Sequence, residues 1–204
     1  MFTGLVEAKG TVRSIEPRGP GLRLTIDPGS WNYAPSDGDS ISVEGCCLTV
    51  VDPRPGAWSF DVVAETIDKT SLSRLAPGSE VNLEKSATPT TLLGGHVVQG
   101  HVDGVGEVVH VQTGDDWRVG VRVPPALMAY MIPKGSVCLA GVSLTLARVD
   151  VAAHRIEVAL IPATLAKTTL ASLRVGDRIN IEADAMVKTI VHWMTHFASV
   201  RGSA

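Results

Sequence analysis

The sequence predicts an all-β protein with small helices, in which two six-stranded barrels stand in tandem and a C-terminal α-helix follows them. Three observations support this prediction. The two halves of the chain share one pattern of glycines and aliphatic residues. Each half divides into short runs rich in Val, Thr and Ile, and an apolar stripe with helical spacing follows the second half.

The internal repeat is visible in its motifs. Residues 45–50 read GCCLTV and residues 141–146 read GVSLTL, an offset of 96. After one small insertion the offset becomes 98, and residues 66–84 match residues 164–182. Two copies are too few for a solenoid, so we interpret the repeat as a duplicated domain.

Domain boundaries follow from this register. Paired glycines at 94 and 95 would form a flexible hinge between the copies. The expected units are a first barrel at 1–93, a second barrel at 94–185, and an oligomerisation helix and tail at 186–204.

Each copy consists of short strand-like segments separated by Pro/Gly-rich turns such as PRGPG and DPRPG. Six strands within one copy suggest a small closed barrel, because closure removes exposed strand edges. A short helix is expected after Thr66, which would act as its cap, and another helical piece at 124–135. The strands predicted in the first copy are 5–14, 21–27, 39–43, 46–52, 57–64 and 79–84.

The segment from Asp184 onward has no counterpart in the repeat. Its apolar residues fall on one helical face, which is more typical of a packing or oligomerisation helix than of a catalytic one. The stripe consists of Val187, Ile190, Val191, Met194, Phe197 and Ala198.

Composition excludes several functions. The formal net charge is −3 and basic residues are not clustered, which argues against nucleic acid or an anionic membrane as the main partner. The chain shows neither a signal-peptide pattern nor an apolar run that would span a bilayer. Cys46 and Cys47 are adjacent and make a poor disulfide, so we expect reduced thiols and a cytoplasmic location.

The two copies differ at positions that can carry chemistry. Cys47 corresponds to Ser143, and Leu5 corresponds to His101. A thiol therefore corresponds to a hydroxyl at one position, and a leucine corresponds to an imidazole at the other, which suits two bound molecules that are handled differently. Cys46 is expected in the core. His96 and His101 lack further ligands at metal-binding spacing, so no metal site is predicted.

An ordered set of motifs gives a more specific indication. The chain resembles the riboflavin synthase family over nearly its whole length, including the duplication and the tail helix. The motifs that carry the resemblance are MFTGLVE, GCCLTV, ETIDKTSL, GGHVVQGHVDG, YMIPKG, GVSLTL and INIEAD.

The resemblance implies two Greek-key lumazine-binding barrels and a homotrimer in which the N-barrel of one subunit faces the C-barrel of its neighbour. The implied reaction is the dismutation of two 6,7-dimethyl-8-ribityllumazine molecules to riboflavin and 5-amino-6-ribitylaminouracil. It needs no metal and no external cofactor. Lumazine synthase is a candidate partner.

The resemblance also implies site residues. Those linked to catalysis are Phe2, Ser40, Cys47 and His101, with His101 in proton transfer, Ser40 as its partner or proton relay, Cys47 shaping a pocket and Phe2 closing over the ring. The substrate-binding set is Gly4, Leu5, Val6, Cys47, Leu48, Thr49, Asp61, Val62, Val63, Ala64, Glu65, Thr66, Gly100, His101, Val102, Lys134, Ser143, Leu144, Thr145, Ala159, Leu160, Ile161, Pro162, Ala163 and Thr164.

Three positions depart from the family pattern. Glu44 and Ala140 stand where Asn or Asp is usual before a turn glycine, and we expect altered turn geometry there. Ala163 stands where Glu is usual, whereas the first copy keeps Glu65. A non-catalytic lumazine- or flavin-binding antenna protein is the alternative function. A flavin oxidoreductase would need a nicotinamide domain for which the chain has no room.

Overall fold

The protein is described by a computed structural model that covers residues 1–197, and in this range twelve strands close into two antiparallel barrels. The N-barrel consists of β1 (Ala8–Arg18), β2 (Gly21–Asp27), β3 (Ser40–Val43), β4 (Cys46–Arg54), β5 (Ala57–Val62) and β6 (Glu80–Lys85). The C-barrel consists of β7 (Gly104–Gln112), β8 (Arg118–Arg122), β9 (Ser136–Leu139), β10 (Val142–Asp150), β11 (Arg155–Ala159) and β12 (Arg178–Ala183).

Both barrels have one topology. The strand order is β1-β2-β5-β4-β3-β6 in the N-barrel, and β7-β8-β11-β10-β9-β12 in the C-barrel. In each barrel three consecutive strands are connected by hairpins, and the next strand of the chain returns to lie beside the first of the three: β6 beside β3, and β12 beside β9. This is the Greek-key arrangement. The predicted pair of six-stranded barrels is confirmed.

Strand β4 shows how the sequence pattern fills the N-barrel. Cys46, Leu48 and Val50 point into the core, whereas Cys47 is partly buried and Thr49 is exposed. Strand β10 repeats this alternation in the C-barrel. Because successive side chains of a strand point to opposite faces, the motif places one row in the core and the other row at the surface that carries the candidate sites.

The first helix differs from the prediction. α1 (Ala64–Lys69) begins directly after β5, its N-cap is Val63, and Thr66 lies inside it. The predicted cap is therefore wrong, because the chain passes from the strand into the helix before it reaches Thr66. Thr70 caps the 3₁₀ helix that follows, through a 3.3 Å hydrogen bond from the Leu72 N–H to its Oγ1. The C-barrel repeats this arrangement with α2 (Pro162–Lys167) and a 3₁₀ helix at Thr169–Ser172.

Two further expectations are corrected at the ends of the barrels. Strand β1 begins at Ala8 rather than at residue 5, because the residues before it run along the other barrel. The expected glycine hinge is a tightly packed segment. A Cβ at Gly95 would overlap the carbonyl oxygen of Thr3 and lie 2.9 Å from the Ser143 Cβ, so glycine is needed there for close approach.

The tail helix is confirmed as α3 (Ala185–Phe197). Asp184 caps it by accepting the Met186 N–H at 2.8 Å, and Lys188 pairs with Asp103 at 2.8 Å. Ala198 and the rest of the predicted tail lie outside the described residues. A 3₁₀ helix at Pro125–Tyr130 contacts α3. Within residues 1–197, none of the helices is both long and apolar enough for a bilayer span.

Candidate functional site

The two barrels exchange the segments that precede their first strands. Phe2 and Val98, which are equivalent in the repeat, form a bridge in which Phe2 N–H donates to Val98 O at 2.7 Å and Val98 N–H donates to Phe2 O at 3.1 Å. Beyond this bridge residues 3–6 run along the C-barrel and residues 99–102 run along the N-barrel. Each barrel therefore carries a segment that belongs to the other copy.

A buried carboxylate anchors each exchanged segment. Glu84 on β6 accepts hydrogen bonds from the Thr3 N–H and hydroxyl at 2.7 Å and from the Gly4 N–H at 3.0 Å. Glu182 on β12 accepts the N–H groups of Gln99, Gly100 and His101 at 2.7 to 3.0 Å. Burial raises the pKa of both carboxyls, against the opposing effect of these hydrogen bonds.

The N-barrel site forms where residues 99–102 meet β4. The Cys47 N–H donates to the Gly100 carbonyl oxygen at 2.8 Å. Gly100 has φ +78°, and a Cβ on it would lie 2.6 Å from the Cys47 Cβ. The exposed His101 follows Gly100 directly, so the exchange brings the predicted imidazole and thiol to one barrel. In the repeat Cys47 belongs to the first copy and His101 to the second, and the exchanged segment explains how residues of different copies meet at one site.

Ser40 shares the outer face of the N-barrel with Cys47. Ser40 is paired with Thr49 across the β3–β4 ladder, and Ser42 is paired with Cys47. Because directly opposed residues point to the same face, all four side chains lie on one surface. The structure thus groups Ser40, Cys47 and Thr49 beside the segment that carries His101.

The C-barrel site is a cleft of about 250 Å³ between residues 4–6, β10 and α2. The Ser143 N–H donates to the Gly4 carbonyl oxygen at 2.8 Å, which matches the Cys47–Gly100 hydrogen bond in the other barrel. The predicted residues in the lining are Gly4, Leu5, Val6, Ser143, Ile161, Ala163 and Thr164, and the residues that the sequence did not predict are Val142, Lys167 and Thr168.

The spacing of Lys167 from Ala163 in the sequence indicates that both residues face the cleft. Lys167 lies four residues after Ala163 on α2, and residues at this spacing share a helix face. In the N-barrel the equivalent positions are Glu65 and Lys69, so the C-barrel cleft keeps the cation and loses the carboxylate. This difference changes the charge at the mouth of one site only.

Several predicted binding residues lie away from the cleft surface. Leu48, Leu144, Leu160 and Val62 point into the barrel cores, so only their backbone groups remain for a ligand. Asp61 accepts two hydrogen bonds from Arg23 at 2.8 and 3.0 Å, and these lower the pKa of its carboxyl. The remaining predicted positions are distributed over the strand-to-helix connections, β10 and the exchanged segment of the N-barrel: Val63, Ala64, Glu65, Thr66, Val102, Thr145, Ala159 and Pro162.

Lys134 occupies a turn with φ +66° between the 3₁₀ helix and β9, and its N–H donates to the Leu146 carbonyl oxygen at 2.9 Å. It is not among the residues that line the C-barrel cleft.

Phe2 has a different place from the one expected. Its side chain is 1% exposed and packs with Val98, Cys138 and Cys47 between the barrels. A ring this deeply buried supports the Cys47 site from the inside and does not cover a bound ligand, so the predicted closing role is wrong for the chain as described. Burial also raises the thiol pKa of Cys46 to about 12, which leaves this cysteine a structural residue as expected.

Glu44 and Ala140, which stand where the family usually has Asn or Asp, still adopt the tight-turn backbone that Asn-Gly and Asp-Gly favour. Glu44 and Gly45 have φ of 50° and 79°, and Ala140 and Gly141 have φ of 49° and 83°, so both hairpins have type I′ turns. The expectation of altered turns is therefore wrong. The reason lies in the contact between the barrels, where the turns pack against each other with Gly45 beside Gly141.

Hydrogen bonds from the opposite barrel hold both turns. The Asn82 Nδ2 donates to the Ala140 carbonyl oxygen at 2.9 Å, and the Asn180 Nδ2 donates to the Glu44 carbonyl oxygen at 2.8 Å. The Glu44 carboxylate accepts the Asn82 N–H at 2.6 Å, and desolvation raises its pKa to about 7. These contacts stabilise left-handed residues that an isolated hairpin would disfavour.

His96, for which no metal-binding role was predicted, lies against the C-barrel site. Its Nδ1 lies 2.7 Å from the Ser143 Oγ. No pattern in the sequence links these residues, because 47 positions separate them. Among residues 1–197 there is no cluster of three or more His, Cys, Asp or Glu side chains that could hold a metal ion.

Comparisons with known proteins agree with this architecture. The model of the family described as "Lumazine binding domain" matches residues 3–86 and 99–184. Riboflavin synthase of Mycobacterium tuberculosis (strain ATCC 25618 / H37Rv) is 43% identical over 197 residues, which is 95% of this chain and 98% of that protein. Riboflavin synthase of Photobacterium phosphoreum is 38% identical, with 93% and 87% covered. That of Bacillus subtilis (strain 168) is 35% identical, with 95% and 90% covered.

A solved structure of LumP complexed with riboflavin has a TM-score of 0.81 and 27% identity, and the match covers 90% of this chain and 99% of that one. LumP complexed with 6,7-dimethyl-8-(1'-D-ribityl) lumazine, at 24% identity and a TM-score of 0.80, has the same fold. The antenna alternative is not favoured, because the curated relatives at 35 to 43% identity are synthases. The chain belongs to the riboflavin synthase family of transferases and carries its lumazine-binding domain twice.

Proposed function

We propose that this protein converts two molecules of 6,7-dimethyl-8-ribityllumazine into riboflavin and 5-amino-6-ribitylaminouracil by transfer of a four-carbon unit. The observation that carries the proposal is the exchange of segments, which builds two related but chemically different sites. One contains Cys47 and His101, and the other contains Ser143 and Leu5. Two copies of one substrate can then be bound in similar poses and treated differently.

Binding supplies much of the catalysis in this proposal. Backbone groups of β4 and β10, with Thr49, Thr66, Thr145 and Thr164, would bind the pyrimidine edge and the ribityl chain of each lumazine. Holding two reactants in register converts a bimolecular encounter into a step that is effectively unimolecular, which lowers the barrier by up to about 10 kcal/mol.

Proton transfer is assigned to the N-barrel site. The donor molecule must lose a proton from its 7-methyl group, and the acceptor must add a nucleophile at C7. His101 is exposed beside Cys47 and is the residue proposed to move the proton. Ser40, on the same barrel surface, would hydrogen bond to His101 or relay the proton. Cys47 shapes the pocket, and Phe2 supports it from beneath.

The productive site is proposed to form between subunits of a homotrimer, with the N-barrel of one facing the C-barrel of another. The apolar face of α3 supports an oligomer, because Met186, Ile190 and Met194 are 58 to 71% exposed in the single chain. The proposed domain limits are 1–93, 94–185 and 186–204. A cytoplasmic location and association with lumazine synthase complete the proposal, and neither a metal ion nor an external cofactor takes part in it.

The test is to incubate the purified protein with 6,7-dimethyl-8-ribityllumazine alone, with a chelator present, and to follow absorbance. The proposal requires riboflavin to form at half the rate at which lumazine disappears. Tight lumazine binding without product would instead make the protein an antenna-type binder. In that case Ala140 and Ala163 would be the first positions to change.

A further inference from the structure

His96 is in direct contact with Ser143, which lines the C-barrel cleft. Its Nδ1 is 2.7 Å from the Ser143 Oγ, and the residue is 9% exposed. Its Nε2 is buried and has no hydrogen-bond partner among residues 1–197. All of the polar contact that this imidazole makes through its ring is therefore directed at one hydroxyl of the cleft.

Hydrogen bonds and close packing also fix the backbone around His96. The His96 N–H donates to the Thr3 carbonyl oxygen at 3.2 Å, and Thr3 is itself anchored by Glu84 at 2.7 Å. Gly95 packs against Ser143 at a distance that no side chain would permit. The segment that delivers Leu5 to the cleft thus also determines where the imidazole sits.

The surroundings of His96 favour its neutral form. Burial lowers the pKa of the imidazole, and the negative charge of Asp184 opposes this only in part. A neutral imidazole carries one N–H. If that proton were on Nε2, a buried donor would lack a partner, which costs more than leaving one buried lone pair unused. We therefore assign the proton to Nδ1, which then donates to the Ser143 Oγ.

This hydrogen bond leaves the Ser143 O–H free. A serine hydroxyl has one donor and two acceptor positions, and the His96 N–H occupies one of the acceptor positions. The hydroxyl proton can then point only away from the imidazole. In the N-barrel the equivalent position is Cys47, which packs against the apolar cluster of Phe2, Val98 and Cys138 and offers only a weak S–H donor.

We propose that His96 is a positioning residue that orients the Ser143 hydroxyl as a hydrogen-bond donor to the heterocyclic ring bound in the C-barrel cleft. The inference rests on the proposed function for the identity of the ring. It adds a chemical difference between the sites: the C-barrel presents a directed O–H donor to the ring, and the N-barrel presents a thiol at the same place.

The test is a double-mutant cycle on the full chain, with riboflavin binding measured by quenching of its fluorescence. His96→Gln moves the amide away from the Nδ1 position, and Ser143→Ala removes the hydroxyl. Riboflavin is expected to bind in two steps, one for each barrel site. Each variant should weaken the C-barrel step about five- to tenfold, the effect of one hydrogen bond, and should leave the N-barrel step unchanged. The double variant is expected to bind no more weakly than either single variant, because the two changes remove one interaction.

His96→Asn is the matched control, because its amide nitrogen can occupy the Nδ1 position. It is expected to bind riboflavin within about twofold of the parent. His110→Gln, in the same barrel and outside the cleft, is expected to have no effect. If His96→Gln does not fold, His96→Ser replaces it in the cycle. Thermal denaturation identifies variants that have lost structure.

Additive effects in the cycle would overturn the inference, as would an Asn variant as weak as the Gln variant or a loss of both binding steps together. These outcomes are separate from the outcome for the proposed function. If the parent binds riboflavin but forms none from lumazine, the proposed reaction fails and the cycle still decides the role of His96.

Discussion

The backbone N–H of Cys47 donates to the carbonyl oxygen of Gly100 at 2.8 Å, although the two residues belong to different copies of the repeat. Ser143 and Gly4 make the same hydrogen bond at the same length in the other barrel. Each candidate site is therefore completed by a segment from the other copy. Substitutions where the two exchanged segments cross, at the Phe2–Val98 bridge, should disturb both barrels. Substitutions on the outer face of one barrel should disturb only the site on that barrel.

Replacing His101 by alanine tests the assignment of proton transfer. We expect His101→Ala to lower kcat by about 10²- to 10⁴-fold, the usual contribution of a general acid–base group, and to leave lumazine binding largely unchanged. The rate of riboflavin formation and a lumazine titration measure the two effects. His110→Ala serves as the control. Near-normal turnover in the His101 variant would contradict the role.

Gly100→Ala tests the close approach of the exchanged segment. Gly100 has φ +78°, and its Cβ would meet Cys47 at 2.6 Å and the Phe2 ring at 2.9 Å. We expect a loss of stability of about 2 to 4 kcal/mol from overlap and left-handed strain together. Gly19→Ala is the matched control, because Gly19 has φ +57° and nothing within 4 Å. It should lose only about 1 kcal/mol. Equal decreases in melting temperature for the two variants would show that the exchanged segment does not pack tightly against Cys47 at Gly100.

Glu44 should make stability depend on pH. Its pKa is raised from 4.5 to about 7 by desolvation. In the folded state the group keeps its proton where the unfolded chain has lost it. The contribution of Glu44 to the free energy of unfolding is therefore fully present below about pH 4.5. It is lost as pH rises through about 7, and the loss amounts to up to about 3 kcal/mol.

Glu44→Gln should flatten this dependence, since an amide does not ionise. Denaturant midpoints between pH 5 and 8 measure the effect. Glu84 and Glu182, whose pKa values are also raised by burial, leave a residual slope of the same sign. Identical pH profiles for parent and variant would show that Glu44 does not titrate in this range.

Removing residues 186–204 should separate the subunits without unfolding the barrels. The apolar residues Ile190, Trp193 and Phe197 are 48 to 58% exposed on α3, and neither barrel core includes residues of this helix. We expect the truncated protein to keep its thermal transition, to dissociate and to have little activity. Light scattering gives the mass. An intact trimer after truncation would contradict the role of α3.

Much of this protein was predictable from local patterns. The alternation of Cys46, Leu48 and Val50 with polar residues placed one face of β4 in a core, because strand periodicity decides that directly. The duplicated motifs predicted two barrels of one topology, and the apolar stripe predicted α3. Comparing the copies also identified Cys47 and His101 as positions at which the two halves differ chemically.

Other features depended on contacts between distant residues. The position of His96 against Ser143 and the buried place of Phe2 arise from the crossing of segments between the barrels, which no spacing in the sequence reveals. The type I′ turns at Glu44 and Ala140 persist because Asn180 and Asn82 of the opposite barrels hold them. The sequence by itself determined which residues form each barrel, since burial periodicity is local. Only the tertiary structure decided which side chains share a site, because that depends on the packing of one barrel against the other.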